Sequence, residues 1–191
     1  MAPKQQHREN LVRTAMRLFR RQGYAATGLV QITQESGAPK GSLYHYFPGG
    51  KEDLGRAAVE MAGQLVAEMY QDALSRTQTV EAFLDAVTGT YADWMAESGF
   101  RSGCPIATAL LECAPESGAI TGAGQTAFDE WIRITAAAFT RSGLAPDDAR
   151  FSAEVFVSAI EGALILARVR QDDRPLRAIA RHFSQRIASR N

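Results

Sequence analysis

Residues 29–47, LVQITQESGAPKGSLYHYF, constrain the fold of this chain more than any other stretch. The pattern predicts two short helices around a glycine turn. Ile32, Thr33 and Ser36 give the first helix a compact inner face, and Gly37 can take the positive φ at which that helix must stop. Pro39 suits the first turn of the second helix, where its fixed φ is pre-set and its missing N–H costs nothing. The second helix carries Lys40, Gly41, Ser42, Tyr44, His45 and Tyr46. Small, hydroxylated, aromatic and basic side chains on one short helix are what a major-groove reader needs: donors for phosphates and base edges, with few bulky aliphatics. Leu29, Ile32, Leu43 and Phe47 are expected to form the core that fixes the two helices.

Charge supports that reading. The chain is neutral as a whole, with 21 basic and 21 acidic residues. Residues 1–51, however, hold eight Lys or Arg against Glu9 and Glu35, a balance of +6, and the remainder carries −6. An electrostatic footprint for nucleic acid is thus confined to the N-terminal portion. The arginines of helix one (Arg13, Arg17, Arg20, Arg21) are open to two readings, a solvated face or backbone phosphate contacts.

With residues 27–47, the succession Pro48, Gly49, Gly50, Lys51, Glu52, Asp53 and Leu54 resembles the N-terminal DNA-binding domain of TetR-family transcriptional regulators. The matching elements are Thr27, Ile32, Gly37, Gly41-Ser42-Leu43-Tyr44, Tyr46-Phe47 and residues 51–54, behind a helix ending in Leu18-Phe19. Thr33 and Ser36 stand where the family commonly has alanine, Ala38 where it has valine, and Pro39 where a serine is usual. Pro39 and the PGGK turn look like the LmrA/YxaF-like subgroup. Cys104-Pro105-Ile106 with Leu110, Leu111 and Glu112 extends the likeness into the second half. The resemblance implies an all-α fold of about nine helices, a DNA-binding domain over 1–50, and a ligand-binding and dimerisation domain over 51–191. It also implies phosphate contacts at Thr27 and Tyr46. Thr27 is equally placed to cap the second helix with its hydroxyl.

Further helices are expected over about 6–22, 51–76, from 79, between Pro105 and Pro115, and over 125–142, 147–169 and 173–189. Residues 117–124, rich in glycine, read as a connection and a mobile rim. Lys51 sits at a helix start where anions are favoured, so Lys51 and the free N–H groups there are expected to hold a phosphate. Met61, Leu65, Met69, Tyr91, Trp94, Met95, Ile106, Leu110, Phe128, Trp131 and Phe139 are the candidates for a cavity holding a hydrophobic or aromatic small molecule, or else for a filled core. The last two helices carry Phe151, Val155, Ala159, Ala163, Ala167, Ile179 and Phe183, with small residues suited to close helix approach. A helix pair of this kind is how the family dimerises, and intrachain packing is the other reading.

Other functional classes find little support. His7, His45 and His182 are far apart, and neither a nucleophile elbow nor a phosphate loop appears, so no catalytic residues are expected. No metal site, cofactor or membrane span is predicted, and a cytoplasmic location is the default. The expected partners are operator DNA, a second copy of the chain and a small effector. The expected activity is repression relieved by that effector. Redox control through Cys104 and Cys113, or activation in place of repression, are the alternatives.

Overall fold

The computed structural model describes residues 3–39 and 41–188. Among them are nine α-helices and no strand: α1 Pro3–Gln22, α2 Leu29–Ser36, α3 Ser42–Tyr46, α4 Lys51–Arg76, α5 Val80–Glu97, α6 Ala107–Cys113, α7 Gly118–Arg141, α8 Pro146–Arg170 and α9 Arg174–Ala188. Contacts divide the chain into two compact units. One draws on residues up to Gln64 and on Cys104–Ala127, the other on Leu65–Gly103 and residues from Phe128 onward. Helices α4 and α7 contribute residues to both.

The first unit is built on an aliphatic interior. Leu11, Val12, Ala15, Leu18 and Phe19 lie on one face of α1 at helical spacing and are all but inaccessible. Ile32 of α2, Leu43 of α3, Phe47, and Leu54, Ala57 and Ala58 of α4 close against them, with Leu29, Tyr46 and Met61 packed at the edge. Each fully buried large side chain contributes about 1.5–3 kcal/mol of transfer free energy, which opposes the entropy lost in ordering these helices. Gly23 ends α1, its N–H donating to the Phe19 carbonyl at 2.9 Å.

The glycine-rich stretch over 117–124 is not a connection. It forms the first turns of α7, because Ser117 accepts the Ile120 N–H at 3.3 Å and so caps a helix that starts at Gly118. Gly124 follows from packing: a Cβ there would lie 2.5 Å from Leu110 Cδ2.

The second unit is held by aromatic rings. Tyr70 of α4, Phe83 and Tyr91 of α5 and Trp131 of α7 are each no more than 1% exposed. A separate group, Phe139 of α7, Phe156 of α8 and Phe183 of α9, packs with ring centroids 5.3–6.3 Å apart. Thr79 caps α5 as expected, its hydroxyl accepting the Ala82 N–H at 3.2 Å.

Candidate nucleic-acid interface

The turn between α2 and α3 is set by local chemistry. Gly37 has φ 67°, the left-handed conformation in which its N–H can return to the Gln34 carbonyl. Ser36 braces the turn, donating to the Thr33 carbonyl at 3.0 Å and accepting the Ala38 N–H at 3.2 Å. Helix α3 begins later than Pro39. Ser42 directs both its N–H and its hydroxyl at the Pro39 carbonyl (2.9 and 2.7 Å), so the proline closes the turn that leads into the helix and does not form its first turn.

The eight side chains expected at DNA divide accordingly. Tyr44 is 64% exposed and His45 is exposed beside it, both on α3. Gly41 has φ −85°, and a Cβ there would meet nothing within 4 Å. The fold therefore does not require glycine at this position. Ser42 is half-buried with its hydroxyl proton committed to Pro39, and Tyr46 is half-buried between His45 and Phe47, at centroid distances of 5.0 and 6.5 Å. Lys40 lies outside the described residues. Val30, 71% exposed on α2, went unnoticed in the sequence because a valine reads as core.

Two assignments are corrected. Thr27 does not cap α2, whose N-cap is Gly28; it is fully buried and its hydroxyl donates to the Gly23 carbonyl at 2.6 Å. With its N–H donating to Tyr24, neither donor of Thr27 is left to face a phosphate. Lys51 likewise turns inward. Its Nζ donates to the Ala25 carbonyl at 3.2 Å and lies 4.5 Å from the Tyr24 ring centroid, a cation–π contact that also favours its being folded over. Burial holds the Lys51 ammonium below the usual lysine range and pushes the Tyr24 phenol up to about 12. Just ahead of α4, Asp53 accepts the Gly49 N–H at 2.7 Å.

Of the helix-one arginines, Arg17 pairs with Glu35 of α2 at 2.6 Å and Arg13 with Glu9 at 2.7 Å, both exposed. The Arg17 hydrogen bond, then that of Gln31, holds the Glu35 carboxyl below its ordinary value. Arg8 sits 5.4 Å over the Phe47 ring.

The residues proposed for a small-molecule cavity fall into separate places. Tyr91, Trp94, Phe128 and Trp131 belong to one aromatic group in the second unit, centred on Tyr70, which stacks on Trp131 with centroids 6.3 Å apart and planes at 20°. Met95 is buried in the same unit, Met69 is half-buried, and Leu65 is 38% exposed. Phe139 is not in this group; it stacks on Phe183. Met61, Ile106 and Leu110 lie in the first unit, Met61 against the core under α1. Tyr70 and Phe83 were missed. On α4 the buried stripe is Ala62, Val66, Tyr70 and Ala73, one position round from the expected Leu65 and Met69.

The expected subunit contact changes in the same way. Ala163, Ala167 and Phe183 are buried within the chain, at 4%, 0% and 6% exposure, and Ala159 and Ile179 are half-buried. Phe151 and Val155 are exposed, joined by Ile165, Leu166 and Val169, which the sequence did not mark out. The buried face of α8 combines Ala149, Ala153, Ala163 and Ala167 with Phe156, Val157, Ile160 and Leu164, while a second set of large residues faces out. Cys104 and Cys113 are both buried and neither is in a disulfide; Cys104 precedes α6, and burial followed by the Glu112 carboxylate raises the Cys113 thiol.

An α-helix pair around a left-handed glycine, with exposed tyrosine and histidine on the second helix, defines a helix-turn-helix DNA-binding protein. The pattern described as "Bacterial regulatory proteins, tetR family" matches residues 11–58, and "Transcriptional regulator LmrA/YxaF-like, C-terminal domain" matches 77–182. An HTH-type transcriptional regulator of Mycobacterium tuberculosis is 38% identical over 181 residues, 92% of this chain and 91% of that protein. YxaF of Bacillus subtilis is 36% identical over 174 residues, 91% of each chain. The crystal structure of a TetR regulatory protein from Rhodobacter sphaeroides, 28% identical, superposes with a TM-score of 0.82 over 93% of this chain and 96% of that one. The chain belongs to the TetR family of transcriptional regulators, with an LmrA/YxaF-like C-terminal domain. That family is one of DNA-binding regulators and not of enzymes. Among the described residues no helix is long and apolar enough to cross a membrane.

Proposed function

We propose that the chain works as a homodimer that represses transcription from a pseudo-palindromic operator and is released by a hydrophobic or aromatic small molecule. The observation that carries this reading is the contrast between a five-residue α3 and the bare apolar strip of α8, Phe151, Val155, Ile165, Leu166 and Val169. A reading helix of that length reaches too few base pairs for useful discrimination. Two copies on a two-fold axis double the contacts, and an exposed run of large apolar side chains asks for burial against another surface. Tyr44, His45 and Gly41 meet the groove in this reading, Gly41 by letting the backbone approach. A dimer seated across two successive major grooves excludes polymerase from an overlapping promoter.

Selection of bound fragments from random duplexes, with sedimentation of the free protein, tests the dimer and its site. Two inverted half-sites about 34–36 Å apart are expected, with log K falling against log salt at about −0.9 per phosphate neutralised. A monomeric protein, or a single asymmetric half-site, rules the reading out.

For the effector, the support is the aromatic group of Tyr70, Tyr91, Trp94, Phe128 and Trp131, whose flat faces suit an aromatic or apolar guest. A ligand there acts on operator affinity only through its different affinity for the two states. Helix α4, which holds Tyr70 and begins at Lys51, is the element through which it would act. Trp94 and Trp131 are the two tryptophans of the chain, so their fluorescence reports binding directly. A compound that quenches them but leaves operator affinity unchanged is not an inducer. Redox control through the cysteines has less behind it, because both are buried and burial raises the Cys113 thiol, which makes it a slow nucleophile.

A further inference from the structure

The loop that joins α1 to α2 is held from a helix that takes no part in reading DNA. Glu112, the penultimate residue of α6, turns its carboxylate onto this loop: Oε1 accepts the Tyr24 N–H at 3.2 Å and Oε2 the Ala25 N–H at 2.6 Å. The approach is close enough that a Cβ on Gly23 would lie 2.5 Å from Glu112 Oε1. At the other end of the same residue, the Lys51 ammonium donates to the Ala25 carbonyl. The first turn of α4 is tied in parallel, with the Ser117 hydroxyl donating to Glu52. All of these groups belong to one compact unit.

A planar carboxylate that accepts two successive N–H groups fixes both the position and the tilt of the backbone it holds, and its charge strengthens each bond. The residues between Ala25 and α2 have little freedom left. Thr27 closes back on Gly23 and Tyr24 through its hydroxyl and N–H, and Gly28 is already the N-cap of α2. From Glu112 to the start of α2 there is therefore a short, fully bonded path. Leu111 on the same helix is 82% exposed, so α6 does not offer the loop a large apolar anchor in place of the carboxylate at that position.

We propose that Glu112 is a positioning residue for DNA recognition: by holding the Tyr24 and Ala25 N–H groups it sets the orientation of α2 and α3, without itself touching DNA. The inference rests on the DNA-binding reading above. Because the carboxylate is exposed, its contribution is to geometry more than to stability. Base readout depends on alignment to a fraction of an ångström, whereas non-specific phosphate attraction does not.

The test compares Glu112→Gln, Glu112→Ala and the neighbouring Leu111→Ala in the full-length protein. The probes are a duplex recovered by selection from random fragments and an unrelated duplex of the same length. The amide of Glu112→Gln can satisfy one N–H but presents its own N–H to the other, and Glu112→Ala satisfies neither. Expected are a roughly tenfold loss of operator affinity for Glu112→Gln and a larger one for Glu112→Ala, with faster hydrogen exchange at Tyr24 and Ala25. Affinity for the unrelated duplex should change less than about twofold, the salt slope should be unaltered, and Leu111→Ala should behave as the parent. Unchanged operator affinity despite faster exchange at both amides overturns the proposal. So does an equal loss on both duplexes with a shallower salt slope, which would make Glu112 part of the general electrostatics. Failure of the DNA-binding reading would be seen separately, in an unsubstituted protein that selects no duplex.

Discussion

The interiors of the two units are made of different material. Under α1 the side chains are mostly branched aliphatics, Leu11, Val12, Leu18, Ile32, Leu43 and Leu54, with Phe19 and Phe47 at the ends. In the second unit the largest buried groups are rings, Tyr70, Phe83, Tyr91 and Trp131, then Phe139 and Phe156. Interlocking aliphatics with few rotamers specify one helix angle, which suits a reading head that must present Tyr44 and His45 in a single orientation. Rings at centroid separations of 5–6.5 Å present flat faces at which the proposed effector would be received.

Four substitutions probe that contrast. Trp131→Ala is expected to have the largest effect on stability, about 3–5 kcal/mol in urea titration, since it removes the ring on which Tyr70 stacks. Operator affinity of the folded fraction should nevertheless stay within about threefold of the parent's. If it collapses while the protein is still folded, the two interiors do not have separate roles. Leu43→Ala should cost about 2–4 kcal/mol and abolish operator selection with it, because Leu43 is what anchors α3. Circular dichroism melts paired with anisotropy on the selected duplex would separate those outcomes. Gly37→Ala places a Cβ at φ 67° and should destabilise by about 1–2 kcal/mol, read as a lower melting temperature. Gly41→Ala, at φ −85° with open space around it, should leave stability within about 0.5 kcal/mol. Its operator affinity should fall at least tenfold all the same. A Gly41→Ala protein with full affinity would remove close backbone approach from the reading.

Much of the scaffold could be read along the chain. Helix α4 covers the expected range 51–76, and Gly37 stops α2 because glycine takes the left-handed conformation at the least steric cost. Thr79 caps α5 through a bond three residues away. These features depend on neighbours within a turn or so, and sequence states them directly. The misplacements share a different cause. Thr27 and Lys51 have the chemistry of a cap and of an anion site, a hydroxyl before a helix and a cation at its start, yet both are taken up by bonds within and to the α1–α2 loop. The glycines over 117–124 read as a break because nothing nearby reveals that Leu110 needs the space at Gly124. Glu112 was marked only as part of the family resemblance and not by any role, since its partners are 87 and 88 residues away.

The apolar residues show the same limit more sharply. Helix α8 is apolar around much of its circumference, and the sequence offered its alanines together with Phe151 and Val155 as candidates for a subunit contact. The structure gives Ala163 and Ala167 to the chain's own core and leaves Phe151, Val155, Ile165, Leu166 and Val169 bare. Sequence by itself determined the helical class, the punctuation of the reading head and the segregation of charge, because propensity, φ preference and net charge are local or additive quantities. Tertiary structure alone decided which face of an all-round apolar helix is covered, which donors stay free for a phosphate, and which carboxylate holds the α1–α2 loop. Each of those is settled by competition between partners far apart in the chain, and only the folded molecule brings the competitors together.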